Sequence, residues 1–134
     1  MLAFTQDALG AFASWTQDPS GNTILRIDAR NWPNSYTVDA LNRTAGQVYI
    51  DGTRVTNTWD AAGQQLTQQD LLGIRSFGYD LDGRKTSVAF PTGLNLTMSF
   101  DPVSNRLSLL DPGNGRTSWS YDAQNRIIGM SGSI

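Results

Sequence analysis

A repeat of about 21 residues constrains the fold of this chain more than any other feature of its sequence. Six aspartates that are placed to open a turn recur along the chain: Asp18, Asp39, Asp60, Asp80, Asp101 and Asp122. The residues immediately before them are Gln17, Val38, Trp59, Tyr79, Phe100 and Tyr121, of which four are aromatic. Because only 10% of the chain is aromatic, chance does not explain this pattern. The sequence therefore predicts an internally repetitive fold.

Each repeat has the chemistry of a β-hairpin corner, and its best copy is Tyr79-Asp80-Leu81-Asp82-Gly83-Arg84. The aromatic residue suits a half-buried strand. The aspartate can accept a hydrogen bond from the backbone two residues further on, and the glycine takes a positive φ at no steric cost. We therefore expect a strand to end at Tyr79, a tight turn to follow, and the next strand to begin at Arg84.

A second series of turn residues lies midway between the aspartates. It consists of Gly10, Asn31, Gly52, Gly73, Gly93 and Gly115. Each repeat then holds two turns and two short strands. Apolar and polar residues alternate between the turns, most clearly from Leu94 to Phe100. The alternation places a second row of bulky residues on the face of the aromatic row: Trp15, Tyr36, Asn57, Phe77, Met98 and Trp119.

These patterns predict an all-β fold of about twelve short strands, in which successive antiparallel β-hairpin repeats of about 21 residues form one curled, spiralling sheet. We expect a single β domain over residues 1–134 with about six repeats, the first of which lacks the aromatic residue. The repeat around Asp101 carries one extra residue before Arg106, which predicts a longer turn or a β-bulge. Return strands are predicted at residues 23–27, 47–50, 86–90, 107–110 and 127–130.

Composition excludes several classes of function. The chain has no cysteine and no histidine, which excludes thiol nucleophiles, histidine bases and zinc sites of the usual Cys/His kind. A net charge of −2 and a pI of about 4.8 argue against a nucleic-acid partner. Basic residues are scattered and no apolar stretch approaches the roughly 20 residues of a transmembrane helix, so membrane insertion is not expected. The N-terminus has neither a basic segment nor a long apolar run, so we expect no signal peptide in this chain.

The repeated aspartates invite a search for calcium ligands or for an acid–base pair. Their spacing is not that of an EF-hand. A catalytic carboxylate pair occurs once in a protein, whereas these aspartates are equivalents of one another. Turn formation accounts for all of them. The sequence therefore predicts no catalytic residue, no cofactor and no metal, and a chain that is not an enzyme.

The unit Tyr-Asp-x-x-Gly-Arg, recurring at about 21 residues, resembles the YD repeat of the Rhs (rearrangement hotspot) and wall-associated proteins. The shells of insecticidal toxin complexes and the teneurins belong to the same family. The residues that carry the resemblance are Val38, Asp39, Asn42, Arg43, Trp59, Asp60, Gly63, Tyr79, Asp80, Gly83, Arg84, Phe100, Asp101, Asn105, Arg106, Tyr121, Asp122, Asn125 and Arg126.

The resemblance implies a structural role. Stacked hairpins would form part of a hollow β-shell that encapsulates or presents a toxin or other effector domain, secreted or at the cell surface as part of a larger protein. The expected partners are neighbouring YD repeats of a longer chain, further copies that associate through edge strands, and the encapsulated domain. Two features depart from the family. A complete shell needs many more repeats, and the Asp-Pro-x-Gly motif linked to self-cleavage is not found near the end of this chain.

An alternative hypothesis is a module that binds carbohydrate at a cell surface. Exposed aromatic rings stack on sugars, and cell-wall-binding modules contain hairpin repeats of similar length. Trp15, Trp59 and Trp119 are the candidates for this role, unless they face inward and serve only in packing. The arginines near the turns also have two interpretations, since they could pair with turn carboxylates of a neighbouring repeat or line a surface for an anionic glycan. They are Arg43, Arg84, Arg106 and Arg126.

Overall fold

The computed structural model describes residues 1–6 and 12–133, and within these residues it contains thirteen β-strands and no α-helix. The predicted class, all-β with successive antiparallel hairpins, is confirmed. The strand number is thirteen rather than about twelve. The chain divides into two compact units, Met1–Leu72 and Gly73–Ile134. The single domain remains a prediction. No helix long and apolar enough to cross a membrane occurs in the described part of the chain.

In the first unit, each strand pairs antiparallel with the strand that follows it in sequence. The strands are β1 (Leu2–Gln6), β2 (Phe12–Gln17), β3 (Thr23–Ile27), β4 (Pro33–Val38), β5 (Thr44–Val48), β6 (Arg54–Trp59) and β7 (Gln65–Asp70). The second unit has the same sequential order. Its strands are β8 (Gly73–Tyr79), β9 (Lys85–Ala89), β10 (Asn95–Phe100), β11 (Arg106–Leu110), β12 (Arg116–Tyr121) and β13 (Ile127–Ser133).

One turn geometry explains why the chain reverses at each of the six aspartates. The Asp80 N–H donates to the carbonyl of Arg84, and the Gly83 N–H donates to the carbonyl of Asp80, both at 3.0 Å. Gly83 has a φ of 78°. This is a type I turn followed by a left-handed residue, the usual three-residue hairpin loop. Positive φ recurs at the corresponding position of the other five turns: Gly21, Asn42, Gly63, Ser104 and Asn125.

The turn at Asp101 corrects one prediction. It contains no extra residue, because the Asp101 N–H bonds the Asn105 carbonyl at 2.9 Å and Ser104, with a φ of 72°, is the left-handed residue. Asn105 thus occupies the position that Arg84 has in its own turn. A register shift does lie between Ser99 and Phe100, but an equivalent shift precedes the aspartate in all six turns. The bulge is a regular part of the repeat.

Other boundaries also differ from the predictions. The return strand predicted at residues 47–50 lies at Thr44–Val48, because Tyr49 opens the next turn by donating to the Thr53 carbonyl. The strand after Gly83 begins at Lys85, between the two starts that the sequence predicts, Arg84 and residue 86. Asn114 rather than Gly115 takes the positive φ in its turn. The turn predicted to close at Gly10 lies outside the described residues.

Neither unit has a buried core among the described residues, so each is a sheet with two accessible faces. One face carries the bulky rows. The other face carries many serines and threonines together with larger residues such as Leu25 and Val48. Hydroxyls on this face meet across strands at Thr58–Thr67 (2.7 Å) and Ser99–Ser108 (2.6 Å). The fold is therefore held by strand ladders and by contacts between successive hairpins rather than by an interior, as in other repeat proteins.

Candidate functional site

The carboxylate of each turn aspartate organises the turn in which it lies. In the best copy, Asp80 Oδ1 accepts the backbone N–H groups of Asp82 (3.1 Å) and Arg84 (2.9 Å). Asp80 Oδ2 accepts the Nε–H of Arg84 at 2.7 Å. Both oxygens are thus used within the turn. The residue that donates to Oδ2 is the fifth of the motif, counting the aspartate as the first.

The same pattern occurs at four other turns, where the fifth residue donates through its side chain to Oδ2 of the aspartate. The pairs are Asn22 with Asp18, Arg43 with Asp39, Asn105 with Asp101, and Arg126 with Asp122. Carboxylates engaged in this way are turn formers. No group of three or more possible metal ligands is found within residues 1–6 and 12–133.

Arginine at the fifth position links its own turn to the next turn in the same unit. Arg43 Nη1 donates to the backbone carbonyl of Asp60, and its guanidinium lies 5.7 Å from the ring centre of Trp59. In the second unit, Arg84 Nη1 donates to the carbonyl of Asp101 (2.7 Å) and lies near the ring of Phe100 (5.2 Å). Each arginine therefore contacts two parts of the following repeat, its turn and its aromatic residue.

Asparagine at the fifth position also links its own turn to the next one, through its shorter side-chain amide. Asn22 Nδ2 reaches Asn42 Oδ1 at 2.7 Å, and Asn105 Nδ2 reaches Asn125 Oδ1 at 2.9 Å. In both cases the acceptor is the left-handed residue of the next turn. We call the residues at the fifth position the connectors: Asn22, Arg43, Gln64, Arg84, Asn105 and Arg126. The link to the next turn is observed for four of them, Asn22, Arg43, Arg84 and Asn105.

The connector role differs from the expectation that these arginines pair with carboxylates of a neighbouring repeat. Arg43 and Arg84 pair with the carboxylate of their own turn and donate to a backbone carbonyl of the next one. Arg106 is not a connector, since it follows Asn105 and lies 4.6 Å from the ring centre of Trp119. A hydrogen-bond donor at a fixed distance after each aspartate is the sequence signal for this role.

Arg126 is the connector whose outer surface is uncovered. It keeps the bond from Nε to Asp122 Oδ2, but its Nη atoms have no partner among the described residues. The side chain of Arg126 is 75% exposed, against 22% for Arg43 and 20% for Arg84. Its guanidinium is therefore free to make the contact that the other two arginines make.

The turn geometry also stabilises the ionised form of the aspartates. Hydrogen bonding from the backbone N–H of Arg43 lowers the pKa of Asp39 below its ordinary value of 3.8, and the N–H of Arg126 does the same for the pKa of Asp122. Lowered pKa values are also found at Asp18, Asp28, Asp51, Asp80 and Asp101.

These pKa shifts predict a loss of stability in acid. An aspartate with a lowered folded pKa binds its proton more readily in the unfolded chain, so its contribution is complete above about pH 5 and is lost as the pH falls through the folded pKa. We expect the free energy of unfolding in urea to fall between about pH 5 and pH 3. Asp39→Asn should show a smaller fall, and an unchanged free energy over this range would contradict the turn assignment.

The three tryptophans predicted for carbohydrate binding are all partly buried. Trp59 donates its Nε1–H to the Thr44 carbonyl at 3.0 Å and lies near Arg43, and Trp119 lies near Arg106. Trp15 is also half-buried. A role in carbohydrate binding stays a prediction for all three. The most exposed tryptophan is Trp32, which the repeat pattern did not single out.

Solved structures with a similar fold include TcdB2–TccC3 complexes and a Tc holotoxin pore. A crystal structure of TcdB2–TccC3–Cdc42 matches 90% of the chain with a TM-score of 0.77 and 18% identity. The chain spans 7% of that protein. A structure of the Photorhabdus luminescens Tc holotoxin pore matches the same share of both chains with a TM-score of 0.76 and 18% identity. No protein family and no curated protein matches the sequence. Identities this low show a shared hairpin-repeat fold.

Proposed function

We propose that this chain is a non-catalytic wall segment, part of a YD-type β-shell that encapsulates or presents an effector domain. The observation that carries the proposal is the link from Arg43 and from Arg84 to the turn and the aromatic residue of the next repeat. This arrangement does not suit catalysis, because the aspartate carboxylates that a catalytic site would need are already hydrogen-bonded within their turns. It serves instead to fix one hairpin against another.

Two further observations support a wall rather than an isolated globular domain. The described residues have no buried core, so the sheet gains its stability by continuing from one hairpin to the next. The fold is similar to that of TcdB2–TccC3, of which this chain spans 7%. Enclosure of an effector, and a secreted or cell-surface location, are what the YD resemblance implies for such a segment.

The proposed partners are further YD-type hairpins, either in a longer chain or in another copy. Arg126 holds the same position in its turn as Arg84 does. Its Nη atoms, which have no partner among the described residues, correspond to the Arg84 Nη1 that donates to the carbonyl of Asp101. The strand β13 next to it carries Ile127, Ile128 and Met130 with exposed side chains. Among the described residues β13 pairs only with β12, and a strand with exposed apolar side chains that is paired on one side favours association with another strand.

The 134-residue protein is therefore expected to self-associate through this edge. Light scattering at high concentration should give a mass above the 14.6 kDa of one chain. Ile128→Lys should shift the protein towards the monomer, because a lysine on an edge strand opposes pairing. Leu81→Lys, at an exposed turn tip, is the matched control and should change nothing. A monodisperse monomer would contradict the expectation.

The wall proposal is tested by the gene in which these 134 codons lie. We expect additional units of about 21 residues next to them and a separate effector domain in the same product or operon. Limited proteolysis of the purified full product should then leave the effector domain protected until the shell is unfolded. An effector domain that is digested as readily in the native product as when it is expressed alone would overturn the enclosure.

A further inference from the structure

An open groove of about 620 Å³ lies on the first unit, along the bulky face of its sheet. Its floor is formed by paired positions of neighbouring strands. Arg26 on β3 is opposite Asn34 on β4, and Tyr36 on β4 is opposite Gln47 on β5. Trp32 and Tyr49 also line it. This volume is within the range of about 300–1,000 Å³ that is typical of small-molecule sites.

The polar groups on the floor of the groove are free to bind a ligand. The Arg26 guanidinium, the side-chain amides of Asn34 and Gln47, and the hydroxyls of Tyr36 and Tyr49 have no hydrogen-bond partner among the described residues. Together they offer both donors and acceptors, as neighbouring sugar hydroxyls require.

The two carboxylates of the groove are already engaged. Asp28 Oδ1 accepts the backbone N–H of Trp32 (3.0 Å), and its Oδ2 pairs with Arg30 (3.1 Å). Asp51 Oδ1 accepts from the backbone N–H and the hydroxyl of Thr53. The arrangement is thus suited to binding rather than to acid–base chemistry, because both carboxylates serve the turns.

Aromatic surface completes the groove. Trp32 is 46% exposed, with the Arg30 guanidinium 4.3 Å from its ring centre, and Tyr49 is 39% exposed. Partly exposed rings next to unpaired polar groups match the two kinds of surface on a pyranose, an apolar C–H face and a rim of hydroxyls.

The polar floor is specific to the first unit. There the bulky residues Trp15 and Tyr36 are opposite Arg26 and Gln47. At the corresponding positions of the second unit, all three cross-strand pairs have an apolar partner: Phe77–Val88, Met98–Leu109 and Trp119–Met130. A repeat that needed only packing at this position would keep it apolar throughout. The polar residues are therefore an additional feature of the first unit.

We propose that this groove binds an oligosaccharide, with Trp32 and Tyr49 against sugar rings and Arg26, Asn34 and Gln47 bonded to hydroxyl or carboxylate oxygens. The site differs from the one predicted around Trp15, Trp59 and Trp119. It is also independent of the wall function, because it involves none of the connector contacts.

The test is a titration of the 134-residue protein with chitotetraose, which is neutral, and with tetragalacturonic acid, which is acidic, followed by amide chemical shifts. Saturable shifts that map to the groove with either probe support the proposal, and the preferred probe shows which saccharide chemistry the site takes. Arg26→Gln and Trp32→Ala should each weaken that binding roughly tenfold or more.

The matched control is Arg54→Gln. Arg54 is paired with Val48, one position along from the Gln47–Val55 pair, so it lies on the opposite face of the same sheet. This variant removes the same charge and should bind as the wild type does. Absence of saturable shifts in the groove with both probes would overturn the proposal, as would equal weakening by Arg26→Gln and Arg54→Gln. Neither result would affect the wall function, which the protection of an effector domain tests separately.

Discussion

Replacing Arg84 by alanine is expected to lower the free energy of unfolding by about 2 kcal/mol, the usual effect of losing hydrogen bonds from a charged donor. The variant loses the bond to the Asp101 carbonyl, the bond to Ser104 Oγ and the contact with the ring of Phe100. The carbonyl of Asp101 is then left without its side-chain donor. Urea unfolding at low protein concentration, where edge association is weak, measures the change.

Arg126→Ala is the matched control for this prediction. Arg126 makes the same bond to the aspartate of its own turn as Arg84 does, but it contacts no following repeat among the described residues. We expect it to cost less than about 0.5 kcal/mol, as is usual for exposed ion pairs. Equal losses for the two variants would show that the arginines act only within their own turns.

Replacing Gly83 by valine is the second change with a large expected effect. Gly83 has a φ of 78°, and a β-branched side chain in this region costs about 2 kcal/mol or more. The strain falls on the turn that positions both Asp80 and Arg84. The variant should therefore unfold at a lower urea concentration than the wild-type protein.

Gly83→Asn provides the control, because the chain itself uses asparagine at this position of the repeat. Asn42 and Asn125 both have a φ of 61° in turns of the same geometry. Asparagine tolerates left-handed backbone better than other non-glycine residues. We expect Gly83→Asn to cost less than about 1 kcal/mol. If valine is tolerated as well as asparagine, the turn at Asp80 is not the one described.

The turns could be predicted from the sequence because their chemistry is local. An aspartate that accepts hydrogen bonds from the backbone N–H groups after it, and a glycine or asparagine that takes a positive φ, are both visible in the sequence. In the structure the six aspartates open turns of one geometry. Ser104 gave no such signal in the sequence, since serine has no preference for left-handed backbone. The repeat around Asp101 was therefore predicted to contain one residue more than the structure shows.

The connectors could not be predicted in the same way. Their contacts join residues 17 or 20 positions apart, and they depend on how one hairpin is placed against the next. The sequence indicated that arginines follow the turns, but not that Arg43 and Arg84 would donate to a backbone carbonyl of the next turn. The groove was missed for a related reason. Trp32 lies outside the repeated rows, and its proximity to Tyr36 and Tyr49 follows from the strand register.

Strand ends were less well predicted where two signals compete. Tyr49 and Ile50, which have high β propensity, were predicted to end a return strand at residues 47–50, although the turn series also has a turn that closes at Gly52. In the structure Tyr49 opens the turn that closes at Gly52, where no aspartate is available for that position. The geometry of the turn, with a φ of 81° at Gly52, therefore outweighs the local preference of the tyrosine.

The central claim is that the contacts from the connectors Asn22, Arg43, Arg84 and Asn105 hold successive repeats together within each unit. A double-mutant cycle on Arg84→Ala and Phe100→Leu tests it most directly, because these side chains belong to successive repeats and lie 5.2 Å apart. We predict that the two effects on the free energy of unfolding are coupled by about 0.5–1 kcal/mol. The control cycle, Arg126→Ala with Phe100→Leu, should show additive effects. Additivity in the Arg84–Phe100 cycle would contradict the claim.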